Sequence, residues 1–403
     1  MRVLIITQYF WPESFIINDI ALGLKERGYH VSVLTGKPNY PKGSYFKGYN
    51  MFNRSKEQWK GLDVYRVPLI TRGKGGGVRL FLNYISFAFT SSCKVIFMKK
   101  KYDCAFVFQT SPVTVGVPAV ILSKLFKIPF FCWVQDLWPA SIKEASKVKN
   151  RFVLEFFNRV TKLIYNSASH VLVQSRAFIP YIMENQGIIK TKILYLPNTV
   201  KLFKTVVNHN KLSHFGIPKG FNILFAGNIG NAQSFQTLLD SAKILKEKAK
   251  KINWIILGDG RMKQEVIKQV ELLNLKNCFF LLGQFPFEEM PSFFSSADSL
   301  LMSLKKTEIF SLTIPSKLQS YMAFGKPIIA SIDGEAAKII KDAKAGFVSP
   351  AEDVQSLVKN ILLALETDKE VLDGMGRNAQ NYFKIEFSRK SVLDKIEAIF
   401  KNV

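Results

Sequence analysis

The feature that most restricts what this chain can fold into is an alternation of short apolar runs with helically spaced segments, which stops at a polar, basic stretch from Lys201 to Gly220 and then starts again. Val3 to Thr7 is a continuous apolar run, as expected of a strand buried on both faces of a parallel sheet. Asn18 to Arg27 has helical spacing, Gly28 ends it, and His30 to Thr35 is the next strand, so the N-terminus reads as a βαβ unit. Strand-like runs follow at Cys104 to Gln109, Phe130 to Gln135, Val171 to Gln174 and Lys192 to Leu196. Beyond the basic stretch they resume at Asn222 to Ala226, Trp254 to Leu257, Phe279 to Leu282, Ala297 to Ser303 and Pro327 to Ala330. An alternation repeated around one linker predicts two doubly wound α/β domains. The length of 403 residues agrees, because a single core stops growing at roughly 250 to 300 residues.

Residues 36 to 77 break the rhythm. GKPNYPKGSYFKGYN and RGKGGG are rich in Gly, Pro, Lys and Tyr and read as a mobile surface insertion. On the ligand edge of an α/β sheet a long loop is often functional, so this one is either the acceptor side of a site or a solvated loop.

Net charge narrows the partners. The formal value is +25, which favours anionic lipid, nucleic acid or polyphosphate. Nucleic acid is set aside: the cations are spread along the chain, and no helix-turn-helix, zinc spacing or aromatic RNA-binding signature accompanies them. Val78 to Met98 is apolar but interrupted by Arg79, Asn83 and Lys94 and followed by Lys99 to Lys101. It falls short of the roughly 18 apolar residues a span requires, and suits either a helix lying in an anionic membrane surface or a partly buried helix with a basic end. Cys93, Cys104, Cys132 and Cys278 sit singly in apolar runs, without metal-ligand spacing, and read as reduced core thiols. The chain opens directly on a strand and shows no export leader, which reads as cytoplasmic. No histidine lies in a motif.

Candidate residues cluster where strands end, the edge at which open α/β folds place ligands. After the first strand come Glu13 and Ser14; after later strands come Ser111, and Asp136 followed by Trp138. Asp136 is placed to orient or deprotonate a hydroxyl, or to cap a helix. In the second half Gly227, Asn228 and Gly230 form a glycine turn ahead of a helix, and Gly258 and Arg261 form another. The densest stretch is Lys305 to Ser331, KKTEIFSLTIPSKLQSYMAFGKPIIAS. Pro315 and Ser316 read as a helix start, Gly325 as its stop, and Lys317 adds charge to an N-terminus already suited to phosphate. Glu335 follows in a turn.

The order Glu308, Phe310, helix, Gly325-Lys-Pro and apolar strand resembles the donor-sugar motif of glycosyltransferase family 4, whose members are retaining and use nucleotide sugars. The Pro315-Ser-Lys start and the Asp136-Leu-Trp-Pro run look like its L-fucosamine transferase subgroup of bacterial O-antigen and capsule assembly. The resemblance implies the GT-B architecture: two Rossmann-like domains facing across a cleft, residues 1–200 with a returning C-terminal helix 387–403 binding acceptor, and 201–386 binding donor. It places Glu308 beside the donor sugar, and Gln284 and Phe285 in the turn that meets the base. The family's second carboxylate, which holds the ribose, falls on Ser316 or Ser320 depending on register. Its Arg and Lys on the diphosphate fall on Asn228 and Gln233, leaving backbone amides, or Lys305, Lys317 and Arg261, for that role. Glu335 is a candidate replacement on ribose or sugar. The donor so implied is a UDP-N-acetylhexosamine, foremost UDP-N-acetyl-L-fucosamine. The acceptor is a lipid diphosphate-linked sugar on the inner face of the cytoplasmic membrane. No cofactor or metal is implied, since the chain contains no Asp-x-Asp pair. A UDP-sugar 2-epimerase of the same fold and a noncatalytic basic membrane-binding protein are the alternatives.

Overall fold

The computed structural model describes residues 1–74, 77–98, 102–142, 150–200, 208 and 211–401. The cations at Lys99 to Lys101, part of the glycine run near residue 76 and, in the basic stretch, residues 201–207, 209 and 210 lie outside these. The chain forms two compact units, Met1–Asn198 with Val392–Val403, and Thr199–Ser391.

The first unit is an eight-stranded sheet in the order β3-β4-β2-β1-β5-β6-β7-β8. The strands are β1 (Arg2–Ile6), β2 (His30–Gly36), β3 (Lys56–Trp59), β4 (Leu62–Val67), β5 (Cys104–Gln109), β6 (Phe130–Val134), β7 (His170–Val173) and β8 (Ile193–Tyr195). Its helices are α1 (Ile16–Glu26), α2 (Gly77–Ile96), α3 (Val117–Phe126), α4 (Arg151–Ser167) and α5 (Phe178–Gln186). All pairings are parallel except β3 with β4. β5 and β6 are buried along their whole length, which is why they read as unbroken apolar runs.

The expectation of a loose insertion over residues 36–77 is corrected here, because β3 and β4 extend the sheet within it. Two features hid them. β3 carries Lys, Glu and Gln at an edge with an exposed face, and β4 alternates buried with half-buried positions around a buried Arg66. Arg66 pairs with Glu57 and also donates to the carbonyl oxygens of Gly36 and Trp11, so the strand pair is tied back to the ends of β1 and β2.

The second unit is a parallel sheet in the order β11-β10-β9-β12-β13-β14, comprising β9 (Phe221–Ala226), β10 (Ile252–Leu257), β11 (Phe279–Gly283), β12 (Ser299–Ser303), β13 (Ile328–Ser331) and β14 (Gly346–Ser349). The helices that bear on its site are α6 (Phe235–Glu247), α7 (Lys263–Leu272), α8 (Met290–Ser295), α9 (Glu308–Leu312), α10 (Ser316–Phe324) and α11 (Gly334–Asp342). Cores lie on both faces of this sheet.

A last helix, α12 (Arg389–Phe400), returns to the first unit. Val392, Leu393, Ile396 and Phe400 join the cluster of Phe106, Phe131 and Leu24, and Arg27 pairs with Asp394 and Glu397. Each such apolar side chain contributes about 1.5 to 3 kcal/mol when fully buried.

Candidate active site

The strand-end turns of β9, β10 and β11 are laced together. Gly227 N–H donates to Leu257 O at 2.9 Å and Gly258 N–H to Gly283 O at 2.7 Å. Gly227 and Gly258 adopt φ of +146° and +138°, and a Cβ on Gly258 would lie 1.9 Å from the Gly227 carbonyl oxygen. Only glycine permits that approach. The result is a cavity of ≈ 530 Å³ lined by Gly227, Asn228, Gly258, Asp259, Gln284 and Phe285, with Leu257, Phe287 and Met290 as apolar floor. Asp259 is a lining residue that sequence reasoning missed. A short, exposed Asp in a Gly-Asp-Gly turn carries no signal distinguishing it from ordinary turn chemistry. One of its oxygens accepts Gly260 N–H at 2.8 Å.

Beside this cavity stands Lys317 in the first turn of α10, whose cap residue Pro315 offers no side chain to the helix N–H groups. A cation there opposes the helix dipole at a cost of about 0.3 to 1 kcal/mol. Its ammonium lies 3.4 Å from the Phe225 ring centroid and donates to Gln233 Oε1 at 3.0 Å. It passes so close to Gly227 that a Cβ there would come within 3.2 Å of Nζ. No carboxylate pairs with it among the described residues, and enclosure holds its pKa well below the usual lysine range. Gln233, at the position where the resemblance leads one to expect a cation, is thus the acceptor that steadies a cation delivered from another element.

Around the same turn Lys305 donates to Asn231 Oδ1 at 2.6 Å, and Lys305 and Gly230 line a neighbouring cavity of ≈ 260 Å³. Glu352, also missed, accepts Ser234 Oγ and Lys306 N–H, each at 3.1 Å, and so bridges the β9 and β12 loops. Tyr321 is a third missed residue: its hydroxyl accepts Ala226 N–H at 2.9 Å and braces the end of β9. Ser316 opens α10, and the Ser320 hydroxyl donates to Ser316 O at 3.1 Å. Glu308, exposed, begins α9, a short helix capped by the Thr307 hydroxyl. Arg261 is exposed, and Glu335 sits in the first turn of α11. The lining of the main cavity therefore unites Gly227, Asn228, Gly258, Gln284 and Phe285 and leaves Glu308, Ser320, Arg261 and Glu335 outside.

In the first unit Ser111 Oγ donates to Asp136 Oδ2 at 2.8 Å, and Trp138 Nε1 lies 3.3 Å from Ser111 Oγ. Burial raises the Asp136 pKa despite that bond. Its carboxylate is engaged by Ser111 from the end of β5, which joins two strand ends. Glu13 corrects an expectation. It is 2 % exposed and accepts the N–H groups of Phe10, Asn39 and Tyr40, so it ties two loops together instead of facing a ligand. Ser14 is exposed beside it.

The comparisons divide along the same line as the fold. Residues 15–199 match the glycosyl transferase 4-like domain family, and residues 211–382 match glycosyl transferases group 1. Among curated relatives, a probable glycosyltransferase WbjE of Pseudomonas aeruginosa is 24% identical over 73% of this chain and 74% of its own length. A putative colanic acid biosynthesis glycosyl transferase WcaI of Escherichia coli K12 is 22% identical over 91% and 92%. Among solved structures, a sucrose-phosphate synthase of Thermosynechococcus elongatus superposes with a TM-score of 0.77 at 15% identity, covering 100% of this chain and 98% of that one. Anabaena Alr3699/HepE, solved with UDP, gives 0.73 at 16% with both chains fully covered (100% of each). The chain belongs to the group 1 and 4-like glycosyltransferases and is a transferase enzyme built on the two Rossmann-like domains of the GT-B fold.

Proposed function

We propose that the enzyme transfers an N-acetylhexosamine, foremost N-acetyl-L-fucosamine, from a UDP-sugar to a lipid diphosphate-linked saccharide, with retention of configuration and without a metal. The observation that carries the nucleotide-sugar part is Lys317: a cation that meets no carboxylate among the described residues, held over a glycine turn beside a cavity of ≈ 530 Å³, is matched by a diphosphate. The HepE structure with UDP supports the choice of nucleotide, and the WcaI name supports a polysaccharide product. In this reading Gln284 and Phe285 meet the base and Glu308 the sugar. Asp136 orients or deprotonates the acceptor hydroxyl while the leaving phosphate takes up negative charge beside Lys317.

The acceptor's lipid is supported by the exposed ends of α2 and α4. Val78, Phe81, Leu82, Phe152 and Phe156 are solvent-exposed, and Phe81 and Phe156 both pack on Phe157, at 6.4 and 5.4 Å between ring centroids. Neither helix has an acid in its first turn, where Arg79 and Arg151 stand instead. Apolar side chains rimmed by cations suit an anionic bilayer surface, and among the described residues no helix is long and apolar enough to cross one. The enzyme then works peripherally on the inner face of the cytoplasmic membrane. Incubation with a panel of UDP-sugars and lipid-linked acceptors, with and without chelator, tests the reading by UDP release and by the anomer formed. Turnover only with a non-uridine donor overturns the nucleotide, and sugar interconversion without acceptor favours an epimerase.

A further inference from the structure

We propose that Arg72 is the phosphate-binding residue of the first unit, set to take the diphosphate of the acceptor; the inference rests on the lipid-diphosphate reading above. Arg72 lies in the segment between β4 and α2, on the same edge as Glu13, Ser111 and Asp136. Its guanidinium stacks over the Tyr40 ring at 4.9 Å, and no carboxylate or hydrogen-bond acceptor engages it among the described residues. A guanidinium held over a ring by its charge still has N–H groups to offer in a planar two-point contact, the geometry phosphate oxygens accept.

The residue is held in place through its backbone. Arg72 N–H donates to Asn39 Oδ1 at 3.2 Å, and Asn39 N–H donates to the buried Glu13 carboxylate at 2.8 Å. Glu13 is held by backbone N–H groups and Asp136 by Ser111, and neither forms an ion pair with Arg72 among the described residues.

From there an aromatic run leads outward. Tyr84 meets Trp138 at 6.3 Å, Trp138 meets Phe157 at 5.0 Å, and Phe157 meets Phe81 at the exposed apolar ends of α2 and α4. A sugar at Asp136, a phosphate at Arg72 and an isoprenoid along that run follow the order of groups in a lipid diphosphate-linked saccharide.

The test uses the full chain saturated with UDP, so that the cavity of the second unit is filled, and titrates farnesyl diphosphate, farnesol and inorganic pyrophosphate. Wild type should bind farnesyl diphosphate better than either fragment. Arg72→Gln should weaken it roughly tenfold to a hundredfold, leaving farnesol binding, UDP affinity and the melting temperature unchanged. Arg72→Lys should recover part of the loss, since it restores charge but not the fork. Equal binding by Arg72→Gln and wild type, or complete displacement of the probe by UDP, overturns the assignment alone. If wild type prefers neither the diphosphate nor the isoprenoid, the assignment falls together with the lipid-diphosphate reading.

Discussion

The two sheets end in edges of opposite character. That of the second unit is made of glycines, amides and a Lys317 that meets Gln233 and, among the described residues, no carboxylate, with backbone drawn close enough to exclude side chains. That of the first is built from rings and carboxylates: Tyr9 stacks on Phe15 at 5.2 Å, Trp11 on Trp59 at 5.8 Å, and Glu13 and Asp136 are fastened among them. The same doubly wound scaffold thus presents close-drawn backbone and one lysine at one edge, and at the other aromatic walls around two carboxylates and Arg72, the arrangements on which the proposed donor and acceptor roles rest.

If the division is real, damage on the two edges should separate cleanly. The largest effect is expected from Asp136→Asn. Loss of a general base lowers turnover about 10²- to 10⁴-fold, while UDP affinity measured by calorimetry should not change. Weakened UDP binding would break the comparison. Next comes the pair Lys317→Ala and Glu308→Ala, each removing one charge-assisted contact of about 1.5 to 3 kcal/mol, or roughly tenfold to a hundredfold. For Lys317→Ala the loss should appear in UDP affinity, and for Glu308→Ala in turnover only. A reversal of these two would exchange the places of sugar and diphosphate along the stretch.

A finer test exchanges charge inside the second edge. Gln233 and Lys317 are 3.0 Å apart, so Gln233→Lys alone should lower UDP affinity by setting two ammonium groups against each other. The double variant Gln233→Lys/Lys317→Gln should return to within about threefold of wild type, a coupling that independent sites do not show.

The smallest effect on activity concerns pH and the first edge, where the change is read in stability instead of turnover. Burial pushes the Glu13 carboxyl from 4.5 up to about 7. Its folded value therefore exceeds its unfolded one, and the proton is held more tightly in the native state. The associated stability is fully present below about pH 4.5, declines as pH rises to about 7 and is flat above, a change on the order of 3 kcal/mol. Subtracting the melting curve of Glu13→Gln from that of wild type across this window should isolate the slope. A flat difference would show that the backbone N–H groups balance burial, and a slope of the opposite sign that they outweigh it.

What the sequence discloses differs between the edges for a physical reason. Gly227, Gly258 and the start of α10 at Ser316 are legible because backbone that must approach closely admits only glycine, and a helix start has its own residue preferences. The core strands are legible too, since β5 and β6 bury every side chain. β3, β4 and Arg72 are not. An edge strand bearing Lys56 and Glu57 is polar by necessity, and an arginine in a Lys- and Gly-rich segment looks like every other surface cation until Tyr40 and Asn39 are found beneath it. Glu13 was read as a ligand because its place in the loop is right. Its three backbone partners come from Phe10, Asn39 and Tyr40, a long-range arrangement that no local pattern encodes.

The returning helix α12 has a consequence for how the protein is made. Val392, Leu393, Ile396, Ile399 and Phe400 complete a core whose other members, from Val3 to Leu196, emerge from the ribosome first. Domains generally fold as they emerge, yet here the earlier one must wait, its apolar seam uncovered, until the later one has been synthesised. A chain released from the ribosome but cut just before Val392 would carry every residue of the second unit and lack the helix that closes the core of the first.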